Sequence, residues 1–140
     1  MDRVAIPDAL RVLVRQRAGG RCEYCLLHEN DSLAGHAIDH VIARKHRGAT
    51  AGDNLALACA ECNRYKGRDI ATLDPVSRQL TRLFDPRRDL WSDHSALDGA
   101  LIERPRARDR GTARLLQFNE PVRVQHRMLL QAQGRYPHAD

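Results

Sequence analysis

Apolar and polar positions divide the chain into short elements. Leu10, Leu13, Val14 and Arg17 recur at helical spacing across residues 7–18. Pro7 suits a first helical turn there, and Gly19-Gly20 supplies a stop. Residues 35–42 read as a strand. Ala37, Asp39 and Val41 share one face, and His36, Ile38, His40 and Ile42 share the other. Residues 43–53 carry basic residues and glycines with no apolar period, which predicts a loop. The apolar run at 54–58 predicts a second strand. Residues 61 to 72 begin as a helix with Asn63 and Lys66 on one face, and Gly67 weakens it. Past Asp74-Pro75 the pattern changes. A strand is expected at 79–84, a hairpin at 97–103 turning on Asp98-Gly99, and a loop at 104–110. Helices are expected at 112–119 and 121–133, with Gly134 ending the second. The expected class is α+β. Residues 1–74 would form a core with an N-terminal helix, and residues 75–140 a hairpin-plus-helices extension packed on it.

Composition narrows the partners. Aromatic residues make up only 4% of the 140, so a small core gains from a covalent or metal cross-link. The formal net charge of +5 suits a polyanion such as nucleic acid, whose phosphates reward Lys and Arg through counterion release. No apolar run approaches the ~20 residues of a membrane span. The N-terminal residues lack the apolar core of a secretory signal, so the expectation is a soluble cytoplasmic protein with no membrane partner.

Thiols stay reduced in that compartment, so four paired cysteines read as metal ligands before disulfides. Cys22, Cys25, Cys59 and Cys62 form two Cys-x-x-Cys knuckles. Each offers two thiolates at a spacing that fits tetrahedral Zn2+, and four thiolates close the shell, which makes the zinc structural. The 33 residues between Cys25 and Cys59 exceed the ~15–20 of a plain zinc ribbon, so they hold a real insert.

That insert carries Asp39-His40-Val41-Ile42-Ala43-Arg44, then Asp53-Asn54-Leu55, and it runs into Cys59-x-x-Cys62-Asn63-Arg64-Tyr65-Lys66-Gly67. This ordered set resembles the HNH endonuclease family in its four-cysteine zinc version, over residues 21–68. The resemblance implies a ββα-metal nuclease core that hydrolyses phosphodiester bonds in DNA, most readily double-stranded. It implies that Asp39 and Asn63 hold a catalytic Mg2+ or Mn2+ and that His40 is the general base. It implies that Asn54 pins the loop that aims His40, and that Lys66 stabilises charge on the phosphate. Strand alternation agrees with the first division of labour, since Asp39 and His40 point to opposite sides and do not readily chelate one ion. Oxygen ligands from Asp39 and Asn63 favour a hard ion. Two positions depart from the family pattern. Asn63 stands where the family name has a second histidine, and Ala49 stands where a second glycine is common.

Arg44, Lys45, Arg47 and Arg64 are candidate DNA contacts, with a solvated loop as the plain alternative. Trp91 is expected to anchor packing and His94 to be structural. Arg104, Arg106, Arg108 and Arg110 either track a DNA backbone or form a solvated loop. A single site cuts one strand, so a monomer would nick and a homodimer would cut both. A non-catalytic zinc-knuckle module that binds nucleic acid or protein also accounts for the cysteines and the charge. It leaves the ordered Asp39, His40 and Asn63 without a reason.

Overall fold

The computed structural model describes residues 5–103 and 106–138. The chain runs α1 (Asp8–Ala18), β1 (Ala37–His40), β2 (Leu55–Ala58), α2 (Ala60–Lys66), β3 (Ala71–Leu73), β4 (Leu80–Arg82), α3 (Trp91–His94), β5 (Ala96–Asp98), β6 (Leu101–Glu103), α4 (Ala107–Leu115) and α5 (Pro121–Ala132). Among the described residues helices and strands mix without a common sheet, because the strands form three separate antiparallel pairs, β1-β2, β3-β4 and β5-β6. The α+β expectation holds.

The centre is β1 paired with β2 in the register Ala37↔Ala58, Ile38↔Leu57, Asp39↔Ala56 and His40↔Leu55. All four residues of β2 are buried, which explains its unbroken apolar run. Its two faces still differ. Leu55 and Leu57 pack with Val14 and Ala18 of α1, while Ala56 and Ala58 join the cysteine cluster. Burying each leucine contributes roughly 1.5–3 kcal/mol. The two alanines leave room for the sulfurs and for α2. Asp39 lies opposite Ala56 and so faces the cysteine side.

Glycines shape the joints. Gly19 (φ 63°) and Gly20 (φ 73°) end α1 in the left-handed region. An antiparallel bridge between Arg21 and His28 then closes a small hairpin that carries Cys22 and Cys25. The helix expected to reach residue 72 stops at Lys66. Gly67, at φ 53° and ψ −125°, leaves the helical region. The β-branched Ile70 and Thr72 beyond it favour extended backbone, and β3 pairs with β4 instead. The loop expected at 104–110 is largely helix, since α4 begins at Ala107 with Asp109 in its first turn, where a carboxylate suits the helix dipole. Arg104 lies outside the described residues. Gly111 lets α4 sit on the β3-β4 hairpin: a Cβ there would stand 3.0 Å from Thr72 Cγ2 and 3.1 Å from Thr81 Cγ2.

One hydrophobic cluster unites the two halves of the chain. Cys22, Tyr24, Cys25, Ala56, Ala58, Cys59 and Cys62 share it with Phe84, Ile102, Leu116, Phe118, Leu130 and Tyr136. The later segments therefore form a shell around the cysteines. Asn119 fastens that shell, accepting from the Ile102 N–H at 2.9 Å and donating to the Ile102 carbonyl at 2.9 Å.

Candidate active site and zinc centre

The two knuckles converge. The four cysteine sulfurs lie within 4.8 Å of one another and are all buried. Tetrahedral Zn–S bonds of about 2.3 Å place sulfurs about 3.8 Å apart. Cys25 Sγ and Cys59 Sγ stand 3.7 Å apart, so the donor set could hold Zn2+. Backbone N–H groups of Tyr24 and Cys25 donate to Cys22 Sγ at 3.4 Å, and that of Cys62 donates to Cys59 Sγ at 3.4 Å.

A residue that sequence reasoning missed completes this centre. Arg123 of α5 donates from Nη2 to Cys62 Sγ at 3.1 Å and to Cys59 Sγ at 3.7 Å. Burial alone would lower its pKa, but the sulfurs of Cys62, Cys25 and Cys59 outweigh burial and hold the guanidinium firmly charged. Tyr136 adds a second tie, donating its hydroxyl to the Cys25 carbonyl at 2.6 Å. Neither residue lies near the cysteines in sequence, and no local motif points to either.

On the adjoining side, Asp39 is 5% exposed and fully engaged. Tyr24 donates its hydroxyl to Asp39 Oδ2 at 2.7 Å. Lys66 Nζ lies 3.1 Å from Oδ2 and 3.3 Å from Oδ1, and it also donates to the His40 carbonyl at 3.2 Å. Burial raises the Asp39 carboxyl, and the Lys66 ammonium and the Tyr24 hydroxyl pull it back down. Lys66 is itself 2% exposed, so its ammonium faces the carboxylate and not solvent.

His40 points away from Asp39. Its Nε2 pairs with Thr50 Oγ1 at 2.9 Å. Burial lowers the His40 pKa; Asp39 pushes it back up, while Arg44 and Lys66 lower it further. The imidazole is therefore biased toward the neutral form that can accept a proton. Asn54 braces the loop between His40 and Thr50. Its Oδ1 accepts from Ile42 N–H at 2.9 Å, and its Nδ2 donates to the carbonyls of Ile42 and Ala49, both at 2.9 Å. Gly48 passes beneath this clamp, where a Cβ would fall 1.6 Å from the Ile42 oxygen and 2.8 Å from Asn54 Nδ2. That contact explains why glycine is needed at 48, while the exposed Ala49 is tolerated.

Asn63 follows Cys62 directly and stands half-buried one turn before Lys66. Among the described residues no hydrogen bond joins it to Asp39. The carboxylate of Asp39 and the amide of Asn63 suit a hard cation in chemistry. Such an ion would have to share Asp39 with Lys66 or displace it. Arg44, Lys45 and Arg47 are exposed on the loop after β1, and Arg64 is exposed on α2 with its guanidinium 4.8 Å from the centre of the Tyr65 ring.

Arg108 and Arg110 of α4 pair with His94 and Asp74. Arg110 grips Asp74 through Nε to Oδ1 at 2.8 Å and Nη2 to Oδ2 at 2.6 Å. Arg108 lies 3.1 Å from His94 Nδ1, and Arg106 lies 3.3 Å from Asp109 Oδ2. Arg108 and Arg110 serve the fold of the extension, whereas Arg106, just before α4, is exposed. Trp91 anchors packing as expected and donates Nε1–H to the Tyr24 carbonyl at 2.8 Å. His94 is buried and paired with Asp109 at 3.0 Å.

With this geometry in place, residues 22–69 match the family model described as HNH endonuclease. That stretch holds both knuckles together with Asp39, His40, Asn54, Asn63 and Lys66. No curated protein and no solved structure matches the chain. Among the described residues no helix is long and apolar enough to cross a membrane.

Proposed function

We propose that this protein is a metal-dependent HNH endonuclease that hydrolyses phosphodiester bonds in DNA, with a ββα-metal core over β1, β2 and α2. One observation carries the reading: adjacent residues of β1 divide between two environments. Asp39 points to the buried side with Lys66, and His40 points to the loop braced by Asn54. That is the separation a metal-ligand carboxylate and a general base require.

His40 takes the proton of the attacking water. In the tautomer whose Nε2–H donates to Thr50 Oγ1, the lone pair lies on Nδ1, which is then the atom that accepts it. Asn54 holds the loop that carries Thr50, so it sets the aim of His40 at one remove. Asp39 and Asn63 would hold Mg2+ or Mn2+, which would supply Lewis-acid stabilisation of the phosphate and the leaving oxygen. Lys66 pairs with Asp39, and its ammonium would add positive charge near a phosphate bound at this site. Arg44, Lys45, Arg47 and Arg64 contact the DNA backbone. Zn2+ on the four cysteines is structural. Residues 1–74 form the nuclease unit, and residues 75–140 brace it. The protein works as a nicking monomer or, paired, as a double-strand cutter.

The test is cleavage of supercoiled plasmid with Mg2+, with Mn2+ and with EDTA, beside His40→Ala. Metal-dependent nicking that is lost in the variant supports the reading. Equal cleavage by the variant moves the base elsewhere. No cleavage with either metal favours a binding module, for which the engaged state of Asp39 speaks.

A further inference from the structure

Tyr24 occupies the interior of the first knuckle, between Cys22 and Cys25, and is 1% exposed. Four contacts fix it. Its backbone N–H donates to Cys22 Sγ at 3.4 Å. Its carbonyl accepts from Trp91 Nε1 at 2.8 Å. Its ring packs edge-on against Phe84, with centroids 6.3 Å apart at 81°. Its hydroxyl donates to Asp39 Oδ2 at 2.7 Å. A phenol held so firmly cannot follow a moving carboxylate, so the carboxylate must adopt the orientation the phenol sets.

We infer that Tyr24 is a positioning residue that ties the cysteine centre to the metal-binding carboxylate, and that Phe84 and Trp91 of the extension brace it for that task. The inference rests on Asp39 being a ligand of the catalytic ion. Tyr24 occupies one acceptor direction of Oδ2 and so limits how the carboxylate would turn toward an ion that shares it with Lys66 or displaces Lys66. Hydrogen-bond partners of metal ligands typically change affinity by about 10–100-fold when removed. Tyr24 also makes the hard-ion site depend on the soft-ion site without any shared ligand. Disorder in the Cys22–Cys25 turn would release the hydroxyl and with it the orientation of Asp39. The arrangement gives a reason for aromatic residues at 84 and 91 in a chain that has few.

The experiment is Mn2+ binding to the zinc-loaded full chain, followed by electron paramagnetic resonance without nucleic acid. The proteins are wild type, Tyr24→Phe, Trp91→Phe and Asp39→Asn. Tyr24→Phe is expected to keep its zinc and its melting transition while binding Mn2+ about tenfold more weakly. In cleavage, its half-saturating Mn2+ concentration rises by the same factor, while the rate at saturating Mn2+ falls by less. A merely structural tyrosine would not separate these two quantities. Trp91→Phe keeps the phenol but frees the Tyr24 carbonyl, and it shows a smaller weakening. It carries the test if Tyr24→Phe loses zinc. Wild-type Mn2+ affinity in both variants, with binding lost in Asp39→Asn, overturns this inference and leaves the metal site standing. Equal binding by wild type and Asp39→Asn, or none by wild type, overturns the metal site and the inference together.

Discussion

Asn54 holds Ile42 from both sides of its peptide backbone, accepting from its N–H and donating to its carbonyl, each at 2.9 Å. The same amide nitrogen reaches the Ala49 carbonyl at 2.9 Å. One side chain thereby closes the loop that carries Thr50 back to His40. Alanine at 54 would strip partners from three backbone groups. Each group left unsatisfied costs about 1–3 kcal/mol if it stays buried and less if water reaches it. Asn54→Ala should lower the melting temperature and reduce cleavage with zinc content unchanged. Gly48→Ala should do the same by a different route, since its Cβ would collide with the Ile42 oxygen. Wild-type stability in Gly48→Ala would show that the loop can move aside.

The His40 imidazole should set the acid limb of activity. Burial, as the leading cause, lowers its pKa, so the neutral base persists to lower pH than an ordinary histidine near 6.5 allows. Activity therefore rises with pH through an inflection below that value and then levels off. A divalent cation on the neighbouring Asp39 pushes in the same direction. Thr50→Val removes the Oγ1 partner, so the rate falls and the inflection moves, with little change in stability. A rate profile whose limb lies above pH 6.5 would sink this assignment.

Much of this arrangement can be read from the residues in order. The knuckles and the alternation of Asp39 and His40 are local properties, because each depends on neighbours within a few positions or on a fixed side-chain period, whereas the bracing role of Asn54 comes from the family resemblance, since its partner Ile42 lies 12 positions away. The parts that could not be read depend on distance. Arg123 reaches Cys62 from 61 positions away, and nothing in the apolar period of α5 marks it. The resemblance implies a charge-stabilising role for Lys66, but its pairing with Asp39, 27 positions away, comes only from the end of α2 packing against β1. The arginine-rich stretch 104–110 reads as a loop because its pattern is polar, although α4 begins at Ala107. Its partners Asp74 and His94 lie elsewhere in the chain, and only the folded extension brings them to it.

Lys66 and Asp39 form a buried ion pair, and a pair of that kind is costly to break from one side. Lys66→Met leaves a carboxylate without its counter-ion, a loss of up to about 3–5 kcal/mol that protonation of Asp39 limits. The variant should be less stable than wild type without divalent metal. It should also gain more stability from Mn2+, because the added ion replaces the missing charge. Thermal melts of both proteins with and without Mn2+ decide this. An equal Mn2+ increment in both would mean that the ion does not bind at Asp39.

Acid should loosen the extension before it reaches the cysteine centre. Asp89 accepts from Arg82 through two bonds of 2.8 Å, and that pairing holds its pKa down at about 2. The two hydrogen bonds from Arg110 lower Asp74 more strongly still. Both carboxyls titrate near 3.9 in an unfolded chain. With folded values depressed, their stabilisation is complete above about pH 4 and fades as pH falls toward the folded values. Melting temperature should be flat from pH 7 to about 4 and then drop, and Asp89→Asn should flatten part of the drop. An equally steep fall in that variant would assign the acid sensitivity to other groups.

Arg123 should govern how tightly zinc is held. Four thiolates around Zn2+ carry a net charge of −2, and the centre is buried, so that charge needs an internal partner. The guanidinium of Arg123 supplies one, 3.1 Å from Cys62 Sγ. Arg123→Leu keeps much of the packing volume but removes the charge. Zinc affinity should then fall by about 10–100-fold, the range typical of lost partners to metal ligands. Chelator competition reads this directly. Cys59→Ser should go further and unfold the core, because a structural zinc site contributes its binding energy to folding. If Arg123→Leu surrenders zinc no faster than wild type, the arginine is a packing residue, and the charge of the centre is balanced by the backbone N–H groups of Tyr24, Cys25 and Cys62 alone.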